Sequence, residues 1–177
     1  QFCWSSWAFL TCAELAYPAY IGGASLRPRG EMMIKRYGNA PKAGERYRLR
    51  AGAYAILPNA GQLLLTYQAA PHYEFQLPGG GIDAGESPIQ ALHREVFEET
   101  GWRIAKPRRL GAFRRFVWMP EYGIHAEKLC HIYTAIPVRR HGAPHEEGHT
   151  AVWMDVSDAI QELANDGDAS FVANLTF

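Results

Sequence analysis

A glycine-rich turn that runs directly into a predicted helix constrains this chain more than any other stretch. The consecutive glycines Gly79 to Gly81 permit backbone geometries that residues with side chains avoid, and they let a ligand approach the main chain. Ser87 is suited to cap the next segment, Pro88 to fill the first helical position, and Gln90 lies three residues after the cap. The sequence therefore predicts a loop that leads into a helix beginning near Ser87.

The predicted helix has an apolar face and an acidic face. Because successive residues turn by about 100°, the apolar residues Ile89, Leu92 and Val96 share one stripe. A second stripe carries three carboxylates, Glu95, Glu98 and Glu99. No lysine lies among these glutamates to relieve their repulsion, whereas a divalent cation would relieve it, and hard oxygen ligands favour Mg²⁺ or Mn²⁺. The alternative is a solvated acidic surface.

The order and spacing of residues in this stretch resemble the signature of the Nudix hydrolases. The matching residues are Gly80, Glu86, Arg94-Glu95-Val96, Glu98-Glu99, Gly101 and Trp102. Only Trp102 departs from the pattern, since an aliphatic residue is usual there, and its apolar side chain still suits a core position. So many fixed positions at set spacing are far more specific than a lone glycine motif. A weaker likeness extends from about Arg50 to Phe177.

The resemblance implies an α/β fold and a metal-dependent reaction. Nudix proteins fold as an α/β/α sandwich around a mixed β-sheet, and their enzymes generally hydrolyse a nucleoside diphosphate linked to another group. Metal ions neutralise charge on the phosphate oxygens and activate a water molecule in such reactions. The likeness assigns as metal ligands Glu95, Glu98, Glu99 and the carbonyl of Gly79. Glu86 and Arg94 are expected to support them, because Arg94 can orient a glutamate through a bidentate pair.

The general base in this family is often a glutamate of the signature or of a later loop. The later loop here is His145 to His149, and Glu147-Gly148, with Trp153 five residues later, resembles the equivalent loop of MutT-type members. Glu147 is therefore our candidate for an additional ligand or base. The alternative is a solvated Glu147, with a signature glutamate, Glu95 first, as the base. The nearby histidines are expected to be ordinary loop residues: His141, His145 and His149.

Residues that select the substrate are predicted by likeness and by position. MutT-type members contact the base with an asparagine near the start of the last helix, and Asn174 lies in a segment that resembles it. Those members carry basic residues at the end of the second strand, where this chain has Tyr67-Gln68. Three cations could replace these basic residues: Arg114, Arg115 and Lys128. The alternative is that they are exposed charges on strands. The aromatic residues that could stack on a base or ribose, or else belong to the core, are Phe75, Trp118 and Tyr122.

Composition bounds the size, the partners and the location of the protein. With 177 residues, 47% of them hydrophobic, the chain can bury one sizeable core, which we assign to residues 32–177. Residues 1–31 are expected to be a poorly ordered extension, with a partner-binding segment as the alternative. Lys+Arg and Asp+Glu number 18 each, so no basic excess points to nucleic acid. Three cysteines without metal spacing favour a reducing, cytoplasmic location, and no apolar run reaches the roughly 18 residues of a membrane span.

Outside the signature, turn residues divide the chain into strands and short helices. The predicted strands cover residues 51–57, 62–68, 103–118, 128–138 and 151–156. We expect the first two to form a hairpin around residues 58–61, and the next two to flank a turn at 120–123. Ser157 is expected to cap a helix that the polar run 165–168 stops, and a last helix is expected from Ala169.

The function predicted from these features is hydrolysis of a small nucleotide with Mg²⁺ or Mn²⁺ as cofactor. The substrate classes left open are a nucleoside triphosphate, a nucleotide sugar such as ADP-ribose, and a dinucleoside polyphosphate. We expect a small-molecule partner, with neither nucleic acid nor a membrane, and leave a homodimer open. The alternative is a Nudix domain that senses a nucleotide without cleaving it. The presence of every signature carboxylate favours catalysis, because non-catalytic relatives usually lose some of them.

Overall fold

The computed structural model describes residues 34–175, which include the whole signature and the strands around it. The extension predicted for residues 1–31 lies outside the described residues, as do Cys3 and Cys12. Cys130 is buried, and burial raises the pKa of its thiol to about 12, so it stays protonated at neutral pH. In this described part of the chain, no helix combines the length and the apolar character that crossing a membrane requires.

Two β-sheets and three helices make up residues 34–175. The strands are β1 (Lys35–Arg36), β2 (Tyr47–Ile56), β3 (Pro58–Asn59), β4 (Gln62–Gln68), β5 (Glu74–Gln76), β6 (Gly79–Gly81), β7 (Trp102–Met119), β8 (Ile124–Arg140) and β9 (His149–Asp155). The helices are α1 (Pro88–Thr100), α2 (Val156–Glu162) and α3 (Asp166–Ala173). The first sheet has the order β1-β7-β8-β2-β6, and in the second sheet β4 pairs with β3, β5 and β9. The first sheet is mixed, because β2 and β8 are parallel whereas β7 and β8 are antiparallel.

The predicted hairpin of residues 51–57 with 62–68 is wrong in its pairing, although the turn between them is present. Ala60 and Gly61 adopt positive φ angles of 48° and 82°, and they close a short β3–β4 hairpin. β2 instead pairs in parallel with β8 on one edge and with β6 on the other. Because Ala53 to Leu57 are all buried, this strand needs cover on both faces, which an isolated hairpin cannot supply.

Alternation along the buried strands places the helices on two sides of the sheets. Tyr54 and Ile56 pack into a core shared with α2 and α3. Ala55 and Leu57 pack into a second core shared with α1. Because successive side chains of a strand point to opposite faces, α1 covers one side, and α2 and α3 cover the other. The predicted α/β/α sandwich around a mixed sheet is confirmed.

Local signals set both ends of α1, and its start near Ser87 is the predicted one. Ser87 Oγ accepts the N–H of Gln90 at 3.3 Å, and the Gln90 side chain accepts the N–H of Ser87 at 2.9 Å, which is a capping box. Pro88 occupies the first turn. Gly101 ends the helix in the left-handed conformation, with φ of 73°. The helix that carries the signature glutamates is therefore fixed by residues next to it in the sequence.

The two C-terminal helices begin earlier than predicted. α2 follows Asp155 at the cap position, and Ser157 lies inside the helix, so the predicted Ser157 cap is wrong. α3 begins directly after Asn165, whose Oδ1 accepts the N–H of Gly167 at 2.9 Å and caps the first turn. The polar run therefore separates the two helices, as predicted, and also starts the second one. This shift buries Asp168 in the first turn of α3.

Ser87→Ala removes the side-chain acceptor at the start of α1, and we expect it to lower the free energy of unfolding by about 1 kcal/mol. Ser157→Ala is the control, because this exposed serine caps no helix, and we expect a change within about 0.5 kcal/mol. Urea unfolding followed by circular dichroism measures both variants. Equal losses in the two variants would contradict the assigned caps.

Candidate active site

The glycine turn and α1 are held together by carboxylates of the helix. Gly79 adopts a φ of 144°, which residues with side chains rarely accept, and its N–H donates to Glu99 Oε2 at 2.9 Å. A Cβ atom at Gly80 would lie 2.5 Å from the carboxylate of Glu95. The Glu95 carboxylate therefore leaves no room for a side chain at Gly80, and the main chain of β2 leaves none at Gly79.

Arg94 gathers several of the other carboxylates around its guanidinium group. Its Nε and Nη2 donate to the two oxygens of Glu86 at 3.0 and 2.9 Å, which is the bidentate geometry of a strong ion pair. Nη1 donates to Glu95 at 2.8 Å and to Glu98 at 3.1 Å, and Nη2 also donates to the Gly81 carbonyl at 3.0 Å. The hydrogen bonds between Arg94 and Glu86 lower the pKa of Glu86 and raise the pKa of Arg94. Both groups therefore stay charged at neutral pH.

Glu99 differs from these carboxylates, because no Lys or Arg among residues 34–175 forms an ion pair with it. Its carboxylate is buried, and burial raises its pKa well above the usual range, although the Gly79 N–H donates to it. Burial likewise raises the pKa of Glu95. Carboxylates removed from water in this way favour a proton or a cation beside them. This part of the signature is electrostatically prepared for a positive ligand.

Two residues near the start of β9 complete a cluster around Glu99. One carboxylate oxygen of Glu99, one of Glu146 and one ring nitrogen of His149 all lie within 4.8 Å of one another. His149 Nε2 is 3.6 Å from Glu99 Oε1, and His149 Nδ1 is 3.9 Å from Glu146 Oε1. Two carboxylates and an imidazole form a donor set that suits a divalent cation.

The cluster opens into a cleft of about 440 Å³. Its acidic wall consists of Glu95, Glu99, Glu146 and His149. The strands β2, β7 and β8, and the turn between β7 and β8, add cations and aromatic rings, namely Arg50, Arg115, Lys128, Trp118 and Tyr122. The Arg50 guanidinium stacks over the Tyr122 ring at 4.2 Å, and the rings of Trp118 and Tyr122 are about half exposed. One space therefore brings together carboxylates, cations and stacking surfaces.

The family model of the NUDIX domain matches residues 46–175, which is more than half of the chain. The chain belongs to the Nudix family. A Bacillus subtilis protein provisionally named 8-oxo-dGTP diphosphatase is 38% identical over 64 residues, which cover 36% of this chain and 43% of that protein. The RNA pyrophosphohydrolase of Vibrio cholerae is 47% identical over 58 residues, which cover 33% of each chain. The chain thus spans less than half the length of these curated relatives.

Solved structures agree with the Nudix assignment at the level of the fold. A NUDIX hydrolase from Nitrosomonas europaea has a TM-score of 0.60 at 18% identity, covering 71% of this chain and 87% of that chain. A MutT NUDIX hydrolase from Burkholderia pseudomallei has a TM-score of 0.58 at 22% identity, covering 73% of this chain and 99% of that chain. The fold predicted from the signature is therefore the fold of these proteins.

Most of the metal ligands predicted from the Nudix signature line the cleft. These are Gly79, Glu95 and Glu99. Glu98 lies beside the cleft, in a shallower depression that Arg94 also lines, and its carboxylate accepts a hydrogen bond from Arg94. Gly79 contacts the site through its N–H. The roles of all four residues as metal ligands stay predictions.

The later loop directs Glu146 to the cleft, whereas the predicted Glu147 does not line it. The N–H of Glu146 donates to the carbonyl of Glu98 at 3.1 Å, which anchors this residue against α1. Gly148, at a φ of 81°, then turns the chain into β9, where His149 faces the cleft. The loop composition indicated a glutamate, but bonds to a distant helix decide which of two neighbours faces inward.

Of the residues predicted to contact substrate, four line the cleft, namely Lys128, Trp118, Tyr122 and Arg115. Arg115 is one of two neighbouring arginines. Arg114 precedes it on β7, and because side chains of a strand alternate, it points to the other face and pairs with Glu127 at 3.1 Å. The arginine pair was visible in the sequence. The face that each one occupies follows from the β7–β8 register, in which Arg115 lies opposite Lys128.

The other two predicted contacts lie away from the cleft. The ring of Phe75 lies 5.0 Å from that of Tyr67 and packs against the core, so the alternative of a core residue is the one that the geometry favours. Asn174 is exposed at the end of α3, where its side chain donates to the carbonyl of Ser170 at 2.7 Å. Because α3 starts earlier than predicted, the asparagine nearest its beginning is Asn165.

A polar recess that the sequence did not reveal opens beside the cleft at the start of α3. Asn165 and Asp168 line it, together with Arg115 and Lys128. Asn165 Nδ2 donates to Asp168 Oδ2 at 2.9 Å, while Asp168 Oδ1 is buried without a hydrogen-bond partner among the described residues. Burial raises the pKa of Asp168 to about 7, although both cations act to lower it. The signal in the sequence was the polar run, which was interpreted only as a helix stop.

Asp168 is expected to make the fold less stable as the pH rises. Its pKa of about 7 in the folded protein exceeds the value of about 3.9 in an unfolded chain. Between these values the folded state holds a proton that the unfolded state has released, so stability falls as the pH increases through this window. Asp168→Asn stays neutral, and its free energy of unfolding relative to wild type should rise between pH 4 and pH 8.

Urea unfolding at several pH values measures this difference. Asp166→Asn is the matched control, because Asp166 belongs to the same helical turn but is exposed, and its difference from wild type should stay flat. A pH-independent difference for Asp168→Asn would contradict the buried, protonated carboxyl.

Proposed function

We propose that this Nudix protein hydrolyses a phosphoanhydride bond in a nucleoside diphosphate linked to another group, with Mg²⁺ or Mn²⁺ as cofactor. One observation carries the proposal. The buried carboxylate of Glu99, which lacks a Lys or Arg partner among the described residues, lines the same cleft as Arg115 and Lys128. A bound pyrophosphate would contact both the carboxylates and the cations of the cleft. Its oxygens need positive charge beside them, and the metal ion that accompanies it needs carboxylate ligands.

The donor set fits a hard divalent cation. Glu99 supplies a buried carboxylate and Glu95 a half-buried one, the pKa values of both are raised, and Glu146 supplies a third carboxylate at the cleft. Glu98 and the Gly79 carbonyl are proposed as additional ligands on the family likeness. In such reactions the metal ion neutralises phosphate charge and activates water. The chain's own part is to hold these oxygens in place, which Arg94 does for Glu95 through a bond of 2.8 Å.

The remaining residues of the cleft are proposed to bind and orient the substrate. Arg115 and Lys128 lie opposite each other on neighbouring strands and would hold phosphate oxygens. Trp118 and Tyr122 present half-exposed rings that could stack on a base or ribose. Glu146 is proposed as an additional ligand or as the base that takes a proton from the attacking water.

A small nucleotide is the substrate class that we favour. The names of the relatives point to two classes, an oxidised nucleoside triphosphate and RNA. Lys+Arg and Asp+Glu balance at 18 each, so the chain has no basic excess of the kind that binds a long phosphate backbone. The second candidate is a domain that senses a nucleotide without cleaving it, and it is weakened because all signature glutamates are present.

A substrate panel separates these possibilities. Nucleoside triphosphates including 8-oxo-dGTP, ADP-ribose, a dinucleoside polyphosphate and a 5′-triphosphorylated RNA are each incubated with Mg²⁺ and with Mn²⁺. Release of phosphate, pyrophosphate or a nucleoside monophosphate is measured. Turnover of a small nucleotide supports the proposal, and turnover of the RNA alone moves it to the RNA class. Tight binding without turnover of any compound supports the sensor.

Glu99→Gln removes the buried charge that faces the cleft. We expect kcat to fall by about 10²-fold or more, because the metal loses a ligand and the transition-state charge is less compensated. Glu98→Gln should also lower kcat. Glu162→Gln on the exposed end of α2 is the control and should leave kcat unchanged. Steady-state kinetics measure the three variants, and circular dichroism checks that each is folded. Unchanged turnover in both Glu99→Gln and Glu98→Gln would contradict the assignment of the active site.

Glu146→Gln and Glu147→Gln form a matched pair. Glu146→Gln should depress kcat with little change in KM, because the lost interaction belongs to the transition state. Glu147→Gln should leave both parameters within about twofold, since this side chain does not line the cleft. The reverse result would assign the role to Glu147, and two unchanged enzymes would move the base to Glu95.

A further inference from the structure

We propose that His149 donates a ring nitrogen to a metal ion held together with Glu99 and Glu146, and that this nitrogen makes the site favour Mn²⁺ over Mg²⁺. The inference rests on the proposed metal-dependent function and adds a ligand that the Nudix signature does not contain. It concerns which ion the site selects.

The first observation concerns the hydrogen bonding of a buried imidazole. The His149 side chain is 6% exposed, and its Nδ1 has no hydrogen-bond partner among the described residues. Its Nε2 is 3.6 Å from Glu99 Oε1, and its Nδ1 is 3.9 Å from Glu146 Oε1. Both separations exceed those of an N–H···O hydrogen bond. A buried polar group in this state lacks a partner that it would normally have.

The second observation is that the three donors are held by separate, anchored parts of the fold. Glu99 belongs to α1 and accepts the Gly79 N–H at 2.9 Å. Glu146 is tied to α1 through its own N–H, which donates to a helix carbonyl at 3.1 Å. His149 opens β9, where it lies opposite Gln68 of β4. Because none of these anchors depends on an ion, the donor atoms are already gathered when a metal arrives.

The chemistry of the donor set then decides the ion. Mg²⁺ prefers oxygen ligands and gives up its water molecules reluctantly, whereas imidazole nitrogen binds first-row transition metals more readily. A purely carboxylate site would leave Mg²⁺ and Mn²⁺ closely matched. Adding one nitrogen donor shifts the preference toward Mn²⁺. The alternative is that His149 is only an imidazolium counter-ion to the two carboxylates, in which case no nitrogen contacts the metal.

Electron spin echo envelope modulation of bound Mn²⁺ distinguishes the two, because it detects nitrogen nuclei attached to the ion. The full chain is titrated with Mn²⁺ in the absence of nucleotide, once with natural histidine and once with ¹⁵N-labelled histidine. We expect a ¹⁴N modulation that changes to that of ¹⁵N on labelling. Absence of nitrogen modulation in the wild type would overturn the proposal.

Variants assign the nitrogen to one residue. His149→Ala should lose the modulation, whereas His145→Ala, the neighbouring histidine of the same loop, should keep it. His149→Asn provides a second, polar replacement if the alanine variant unfolds, and circular dichroism checks each protein. Modulation that persists in a folded His149 variant, or that disappears in His145→Ala alone, would overturn the assignment.

Metal competition tests the selectivity. The Kd of Mn²⁺ is measured by electron paramagnetic resonance and that of Mg²⁺ by displacement of Mn²⁺. The preference for Mn²⁺ should fall about tenfold or more in His149→Asn and should stay unchanged in His145→Ala. An unchanged preference in His149→Asn would overturn the proposal. Hydrolysis of a nucleotide without nitrogen modulation would overturn this inference and leave the proposed function standing. Nitrogen-bound Mn²⁺ without turnover of any nucleotide would support this inference and overturn the proposed hydrolysis.

Discussion

The hydrogen bond from the Gly79 N–H to the buried carboxylate of Glu99 is the contact on which the rest of the site depends. It joins the short strand β6 to helix α1, and so connects the first sheet to the layer that carries the signature glutamates. The contact requires a residue without a side chain, because a Cβ at Gly79 would collide with the main chain of Ala53 on β2. It also requires α1 to be packed in place, which Leu92 and Val96 achieve through their core.

The glutamates of the signature differ in whether a cation lies beside them. Arg94 shares its positive charge among Glu86, Glu95 and Glu98, whereas the hydrogen bond to Glu99 among the described residues comes from a neutral N–H. Negative charge is thus concentrated where the cleft begins, within reach of Glu146 and His149. Arg94 contributes in a second way, because its bidentate hold on Glu86 fixes the loop before α1. The same arginine therefore orders the loop but forms no ion pair with Glu99.

Features that depend on neighbouring residues were predictable from the sequence, and those that depend on distant partners were not. The Ser87 cap follows from local spacing, and so does the turn between the two long strands. The choice between Arg114 and Arg115 is different, because it depends on a register in which a shift of one residue exchanges the faces of the sheet. The choice between Glu146 and Glu147 depends on bonds to α1 in the same way. These single-residue choices decide what the cleft contains.

The parallel pairing of β2 with β8 has a consequence for how the protein moves. The C-terminal half of β2 is hydrogen-bonded on both edges and covered on both faces, so its amides are expected to exchange with solvent only through large openings of the fold. The loop that carries Glu146 is exposed and is held to the carbonyl of Glu98 by two backbone hydrogen bonds, so its amides are expected to exchange faster than those of β2. The three donors therefore differ, because Glu99 lies on α1, which packs against β2 in the second core, whereas Glu146 lies on the exposed loop. If the cluster binds an ion as proposed, the loop would set the rate at which that ion enters or leaves.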